Sequence, residues 1–324
     1  MKELGKEEIP LHEDVHIDEI VQDMQGFLER TYAPGKTKRH FHPKMHGCLK
    51  ATFEVKEDLP SHLKKGLFSK PNTYDAWVRF SSAPPKEASD KKPSGLGMAI
   101  KVMGVDGDFI EPNAEMVQDF LMTTSPVLSP GHVANYRRAM KMLIYGLPHT
   151  IFYVLDPSNW RRITLTLKYR KRFYNVLEQM YFSGAPMLFG EGAAVKCAVK
   201  PHKSKTSGKP QNATDFFLQQ RLMEDLAMED AYFDFMVQFQ EDPASEPIED
   251  TSRQWKTTFH TVATICIPKQ EFSSQERITL GENLQFNPWH ALKSHRPLGG
   301  INRARKAVYG ILADFRKQRN GVEP

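Results

Sequence analysis

The sequence predicts an α+β fold, an antiparallel β-barrel with flanking α-helices. Three observations lead there. Short segments rich in β-forming residues fall in two groups, 45–125 and 193–268, and are punctuated by Pro, Gly, Asp and Asn. A helical block, 131–182, lies between the groups rather than alternating with single strands, which argues against parallel βαβ units. The 324 residues, 40% hydrophobic and 26% charged, suffice to bury a core without staples. No repeat or low-complexity tract divides the chain, so 1–324 reads as a single domain.

Residues 1–40 form a polar arm, within which Ile20, Val21, Met24, Phe27 and Leu28 line one face of a helix over 18–31. "GCLKATFEV" (47–55), "DAWVRFSS" (75–82), "GLGMAIKVMG" (95–104) and "QDFLMTTS" (118–125) read as hairpin-connected strands, with "VDGD" (105–108) as a turn. The helical insertion, 131–182, has two pieces, the second opened by Pro157 and Ser158 and running to Phe182. Strands resume at 193–201, 232–240 and 259–268, and a helix over 213–229 sets Phe217, Leu218, Leu222 and Leu226 toward the core. Pro297, Gly299 and Gly300 then open a last helix, 295–319, with an apolar face at Ile301, Val308, Ile311, Leu312 and Phe315, and with Asn302 as a candidate N-cap.

The bulk properties exclude several classes. A net charge of +5 over this length is too weak to argue for nucleic acid. Cys48, Cys197 and Cys266 are sparse and unpaired in spacing, which suggests reduced thiols and a cytoplasmic setting. The acidic start lacks the apolar run of a secretory signal, and no window is long enough to span a membrane. The basic runs at 168–172 and 200–209 read first as solvated faces and second as contacts for an anionic lipid or substrate. The apolar stretch 142–155 reads first as a buried helix junction and second as a docking surface, so membrane contact is at most peripheral.

Three stretches could carry chemistry. Arg305 and Tyr309 lie four apart on the last helix and share a face, where a guanidinium favours the phenolate, a hard oxygen ligand suited to ferric iron. As an isolated pair they read first as an ordinary helical surface and second as a ligand site. "KRHFHPKMHG" packs Arg39, His40, His42, Lys44 and His46 together. Zinc ligation, solvated histidines and an acid–base histidine all remain open for it, although no paired Cys/His set completes a zinc site. "WVRFSS" puts Arg79 and Ser81 on one side of a strand, where Arg79 needs an anionic partner if it faces inward and Ser81 could fix a histidine tautomer.

Together these stretches resemble the haem catalases. "RHFHPK" followed by "GCLKATFEV" is similar to the catalase segment that carries the distal histidine, and "VRFSS" and "SGLGMAIKV" to the two strands after it. "IPKQEF" and "GENLQFNPWHAL" resemble the run before the proximal helix, and "ARKAVY" carries the Arg-x-x-x-Tyr of the proximal ligand. The order agrees from about residue 39 to residue 309. The chain is much shorter than a full catalase and resembles the minimal catalase-related haem proteins, which include peroxidases and enzymes that rearrange fatty-acid hydroperoxides.

The resemblance implies haem b (iron protoporphyrin IX) held by Tyr309 as the iron ligand, with Arg305 beside it. It implies His42 as the distal acid–base residue, hydrogen-bonded to Ser81, with Arg39 and Arg79 pairing the haem propionates. Catalases place an Asn on the distal side in an Asn-Thr-Pro-Val-Phe-Phe run. The matching stretch here, "EMVQDFLMTTSP", sets Val117 or Gln118 at that place; Asn113 needs a shifted alignment, and Phe120 is the candidate to cover the haem face. The implied activity is a peroxidase that reduces hydrogen peroxide or organic hydroperoxides through a ferryl intermediate with an organic reductant, and with little dismutation. A fatty-acid hydroperoxide lyase or dehydratase, and a non-enzymatic haem-binding protein, are the rival expectations; a homo-oligomer is compatible with all three.

Overall fold

The computed structural model describes residues 3–111, 116–203 and 206–321, so Asn113 lies outside the described residues. In chain order the elements are α1 (Glu13–Thr31), β1 (Met45–Val55), β2 (Thr73–Ser82), β3 (Leu96–Val102), β4 (Gln118–Thr123), α2 (Val133–Tyr145), α3 (His149–Leu155) and α4 (Trp160–Tyr169). They continue with β5 (Tyr181–Phe182), β6 (Met187–Leu188), β7 (Ala194–Pro201), α5 (Phe217–Met228), β8 (Ala231–Phe239), β9 (Phe259–Ile267), α6 (Gln275–Asn283) and α7 (Gly300–Asn320). The strands pair in the order β5–β4–β3–β2–β1–β9–β8–β7, and β7 pairs back onto β5. The result is a closed, eight-stranded antiparallel barrel, with β6 extending the edge of β7 beyond β5.

Alternation along the strands decides which side chains fill the barrel. Tyr74, Ala76, Val78 and Phe80 of β2 lie in the core, so Asp75, Trp77, Arg79 and Ser81 face outward. Register carries this parity across the sheet. Val78 is level with Ile100 and Phe120 inside, while Arg79 is level with Ala99 and Leu121, and Ser81 with Gly97 and Thr123, outside. The interior is aromatic: Phe53 stacks on Phe120 at 6.2 Å and meets Phe235 edge-on at 5.2 Å. Fully buried rings of this kind each contribute about 1.5–3 kcal/mol.

A second core forms outside the barrel, where α1, α2 and α7 meet through Ile20, Met24, Leu28, Val133, Met140, Ala304, Val308 and Leu312. Arg303 pins the start of α7 by reaching Glu7 (2.6 Å), Glu13 (2.5 Å) and Glu249 (2.9 Å). That network explains why α1 begins at Glu13, earlier than its apolar face alone predicts, since Glu13 in its first turn is buried against Arg303. α6 sits tight on β1, because a Cβ on Gly281 would lie 2.5 Å from Met45 Sδ and 2.7 Å from Cys48 Cβ.

Three expectations need correction. The second helix of the insertion ends at Tyr169 instead of running to Phe182. The next residues are drawn into extended backbone by the bridge between Lys171 and Ser94, and Tyr181 enters the barrel with its hydroxyl on Val176 O (2.7 Å). The stretch 142–155 is not a buried junction: Leu147, Phe152 and Leu155 are exposed. Asn302 lies inside α7 and does not cap it, the N-cap being Gly299 at φ 85°.

Candidate functional site

The outward row of β2 meets the segment before β1 at His42. That residue sits at φ 57°, in the left-handed region, which turns its ring back onto the barrel wall. His42 Nδ1 is 3.0 Å from Ser81 Oγ. The neighbouring strand must offer no side chain there: a Cβ on Gly97 would overlap His42 Cε1 and Nδ1 and lie 3.1 Å from Ser81 Oγ. Burial, with the guanidiniums of Arg79, Arg305 and Arg39 nearby, lowers the His42 pKa to about 3, so the ring is neutral at physiological pH. With Nδ1 engaged by Ser81, Nε2 is the nitrogen left for other chemistry.

Three arginines form a buried cluster beside this ring. Arg79 Nη2 donates to His42 O (3.1 Å) and its Nε to Gly281 O (3.3 Å). Arg39 Nη1 donates to Gly281 O (3.2 Å) and Glu282 O (3.0 Å), and Nη2 to Leu284 O. Both therefore bind the carbonyl end of α6, where the helix dipole is negative. Arg316 of α7 completes the cluster and is buried. Burial lowers the pKa of Arg39, Arg79 and Arg316, and repulsion from the Arg79 guanidinium adds to the effect at Arg39 and Arg316. Glu282, 3.9 Å from Arg39, is the carboxylate that offsets them. The group thus carries more positive charge than its neighbours neutralise, which is a site for an anion.

α7 contributes Arg305 and Tyr309 one turn apart. The Arg305 guanidinium donates to Asn302 Oδ1 (3.3 Å), and Asn302 is itself held by its Nδ2 on Pro186 O (2.8 Å) and Leu298 O (3.0 Å). Tyr309 packs at the edge of the helical core with Phe41 and with Tyr136 of α2. The Tyr136 pKa is raised by burial and by the adjacent Tyr309, against a lowering by Arg305. Arg305 also acts on His42, so α7 and the β2 wall face one another closely enough for charge on one to count at the other.

Of the residues singled out in sequence, Arg39, His42, Arg79, Ser81, Arg305 and Tyr309 come together. Gln118 and Phe120 do not. Both occupy inward positions of β4, level with Val102 and Ile100, so the barrel wall separates them from His42. Gln118 Oε1 accepts from Leu292 N (3.0 Å), and Phe120 packs on Phe53 and Phe235. The strand has period 2, and its outward residues are Asp119, Leu121 and Thr123. The three histidines of "HFHPKMH" also part company: His40 is buried between the rings of Phe27 and Phe41, and His46 Nε2 meets Ser82 Oγ at 2.9 Å. Among the described residues no cluster of three or more His, Cys, Asp or Glu is arranged for a metal.

Three residues, and the anchoring role of Asn302, are not among the candidates the sequence offers. Arg316 follows Tyr309 by seven, two turns along the same helix face, and that spacing was a usable signal. Gly97 within a strand pattern marks close approach, a second usable signal. Tyr136 and the anchoring role of Asn302 depend on tertiary packing and left none.

Solved structures match this architecture along nearly the whole chain. A fungal catalase superposes with a TM-score of 0.70 at 16% identity, covering 98% of this chain and 66% of that one. Catalase A from Saccharomyces cerevisiae gives 0.70 and 16%, covering 98% and 67%, and a bacterial catalase 0.65 and 16%, covering 100% and 65%. The fold is the catalase fold. The sequence matches no family model and no curated protein. This version of the catalase fold spans about two thirds of the length of the catalases it superposes on.

The chemistry of the donor set fits haem. A phenol and a neutral imidazole on facing elements suit an iron ligand and a proton carrier, and the arginine surplus suits a pair of carboxylates.

Proposed function

We propose that the chain binds haem b between α7 and the outer wall of β2, and reduces peroxides with an organic co-substrate. The observation that carries this reading is the neutral His42, locked on Ser81 and surrounded by buried guanidiniums, facing the helix that bears Tyr309. Tyr309 would ligate the iron, Arg305 would stabilise its phenolate, and Arg39, Arg79 and Arg316 would hold the propionates. Haem, when bound, would supply the redox chemistry for breaking the peroxide O–O bond, with the organic co-substrate as the source of electrons.

The chain's own part is proton handling and positioning. His42 Nε2, uncharged, takes the proton of an incoming hydroperoxide and returns it to the oxygen that departs, so the leaving group is neutral water or alcohol. Ser81 holds Nδ1 so that the ring keeps one tautomer and one orientation. Because Gln118 points into the barrel, it gives no amide beside His42. With the Gln118 amide turned away from a second peroxide, we favour reduction by an organic donor over dismutation.

Absorption spectroscopy of the purified protein tests the cofactor. A ferric high-spin Soret band that is lost in Tyr309→Phe supports the assignment; a protein that takes up no haem defeats it. Turnover with hydrogen peroxide, an organic hydroperoxide and a fatty-acid hydroperoxide then separates the readings. A lipid product formed without added reductant would favour the rearrangement activity, for which the exposed apolar residues of α3 speak.

A further inference from the structure

The α2–α4 region carries a second functional surface, and we infer that it docks on an anionic lipid bilayer. This does not rest on the haem reading. Nine large hydrophobic residues between 143 and 167 stand open to solvent, among them Leu147 (71% exposed), Phe152 (72%), Leu155 (69%), Trp160 (58%) and Leu167 (64%). α4 buries none of its residues, although Trp160, Ile163 and Leu167 recur at the spacing of one helix face. So many large apolar side chains left open along one stretch of a chain mark an interaction site.

Charge selects the partner. Residues 137–172 hold nine Lys and Arg against Asp156 alone, so the remainder of the chain is net negative while the whole is +5. Part of this charge is spent, since Arg137 and Lys141 bind Glu19 and Arg138 binds Asp156. Lys168, Arg170, Lys171 and Arg172, directly after Leu167, are exposed and have no carboxylate within salt-bridge distance among the described residues. A second copy docking through the same face would set these runs against one another. An acidic lipid surface would neutralise them while accepting the apolar side chains.

The aromatic residues fit the same boundary. Trp160 keeps its Nε1 on Val154 O (2.9 Å) and Tyr145 its hydroxyl on Asp23 (2.7 Å), so both present ring surface without stranding a polar group. No helix among the described residues is long and apolar enough to cross a bilayer, so the contact lies in the interface plane.

The test is sedimentation of the full chain with vesicles of phosphatidylcholine and phosphatidylglycerol, and with phosphatidylcholine alone. The expected result is retention on the anionic vesicles, a blue shift of tryptophan emission, and a loss of about tenfold or more in binding at high salt. Phe152→Glu and the pair Lys168→Glu with Lys171→Glu should each abolish retention and leave the far-ultraviolet circular dichroism unchanged, because all three side chains are exposed. No retention, or equal retention on neutral vesicles, would overturn the inference. So would a dimer in sedimentation velocity that Phe152→Glu dissolves while vesicles bind nothing, which would assign the face to a second copy.

Discussion

Gly97→Ala is the sharpest probe of the candidate site. Gly97 lies in regular strand β3 opposite Ser81, so alanine meets no backbone penalty. Its methyl would overlap His42 Cε1 and Nδ1, and the ring must shift by about 1 Å to recover van der Waals separation. The 3.0 Å contact with Ser81 Oγ then breaks, and a buried ring nitrogen loses its partner at a cost of about 1–3 kcal/mol. A displacement of about 1 Å at a proton-transfer group costs about a hundredfold in rate. The expected result is peroxide turnover down by about two orders of magnitude, haem content unchanged because Tyr309 and Arg305 stand on α7, and a thermal midpoint lower by a few degrees. Turnover is followed by oxidation of a chromogenic donor and stability by scanning calorimetry. A double-mutant cycle closes the argument: in a His42→Ala background the added methyl has nothing to displace, so Gly97→Ala should cost nothing further in rate. Full additivity of the two losses would refute the proposed contact between Gly97, His42 and Ser81.

Other outcomes follow from the same geometry. His42→Ala should keep the haem spectrum and slow reaction with peroxide in stopped flow by about 10²–10⁴-fold; unchanged rates would clear it of the role. Arg316→Leu removes one buried guanidinium facing Arg39 and Arg79, and should weaken haem binding by about tenfold or more in titration of the apoprotein, whereas Asp314→Ala, at an exposed position on the same helix, should not. Acid should destabilise the fold early. His46 and His295 are fully buried, with pKa values lowered to about 3 and about 4, chiefly by burial. The unfolded chain binds their protons from about pH 6.5 downward and the native state refuses them, so stability is complete above that pH and falls as pH drops toward the folded values, by about 1.4 kcal/mol per pH unit for each ring. Urea midpoints at pH 7.5 and 5 measure this, and equal midpoints would contradict it.

The barrel was legible because strand parity is written in single residues. The period of "DAWVRFSS" puts Arg79 and Ser81 on one face, and the structure turns that face outward, with Val78 and Phe80 in the core. The same rule, applied to "QDFLMT", would have placed Gln118 and Phe120 inside. The family resemblance sets them at the distal face instead, and the register of β4 against β3 places them inside the barrel. Helix limits were less legible where tertiary contacts set them: Glu13 extends α1 because Arg303 waits for it, and α4 stops at Tyr169 because Tyr181 is needed in the barrel. The exposed apolar run at 142–155 was misread for a different reason. Hydrophobicity alone does not say whether a surface is covered by its own chain or by something else.

The arginine cluster says most about what the site is built to hold. Arg39, Arg79 and Arg316 share Glu282, which leaves about two positive charges in a desolvated setting. The carbonyl end of α6 supplies only about half a negative charge, so the arrangement is costly as it stands and is relieved by a ligand with two negative charges. Any compact dianion would satisfy that balance. What narrows the choice is the rest of the surroundings: a phenol on α7, and an imidazole kept neutral and held against Ser81 of β2. A small phosphate would use the arginines and leave the phenol and the imidazole without a partner. A macrocycle that carries iron and two carboxylates at one edge would use the arginines, the phenol and the imidazole together, which is the case for the ligand proposed above.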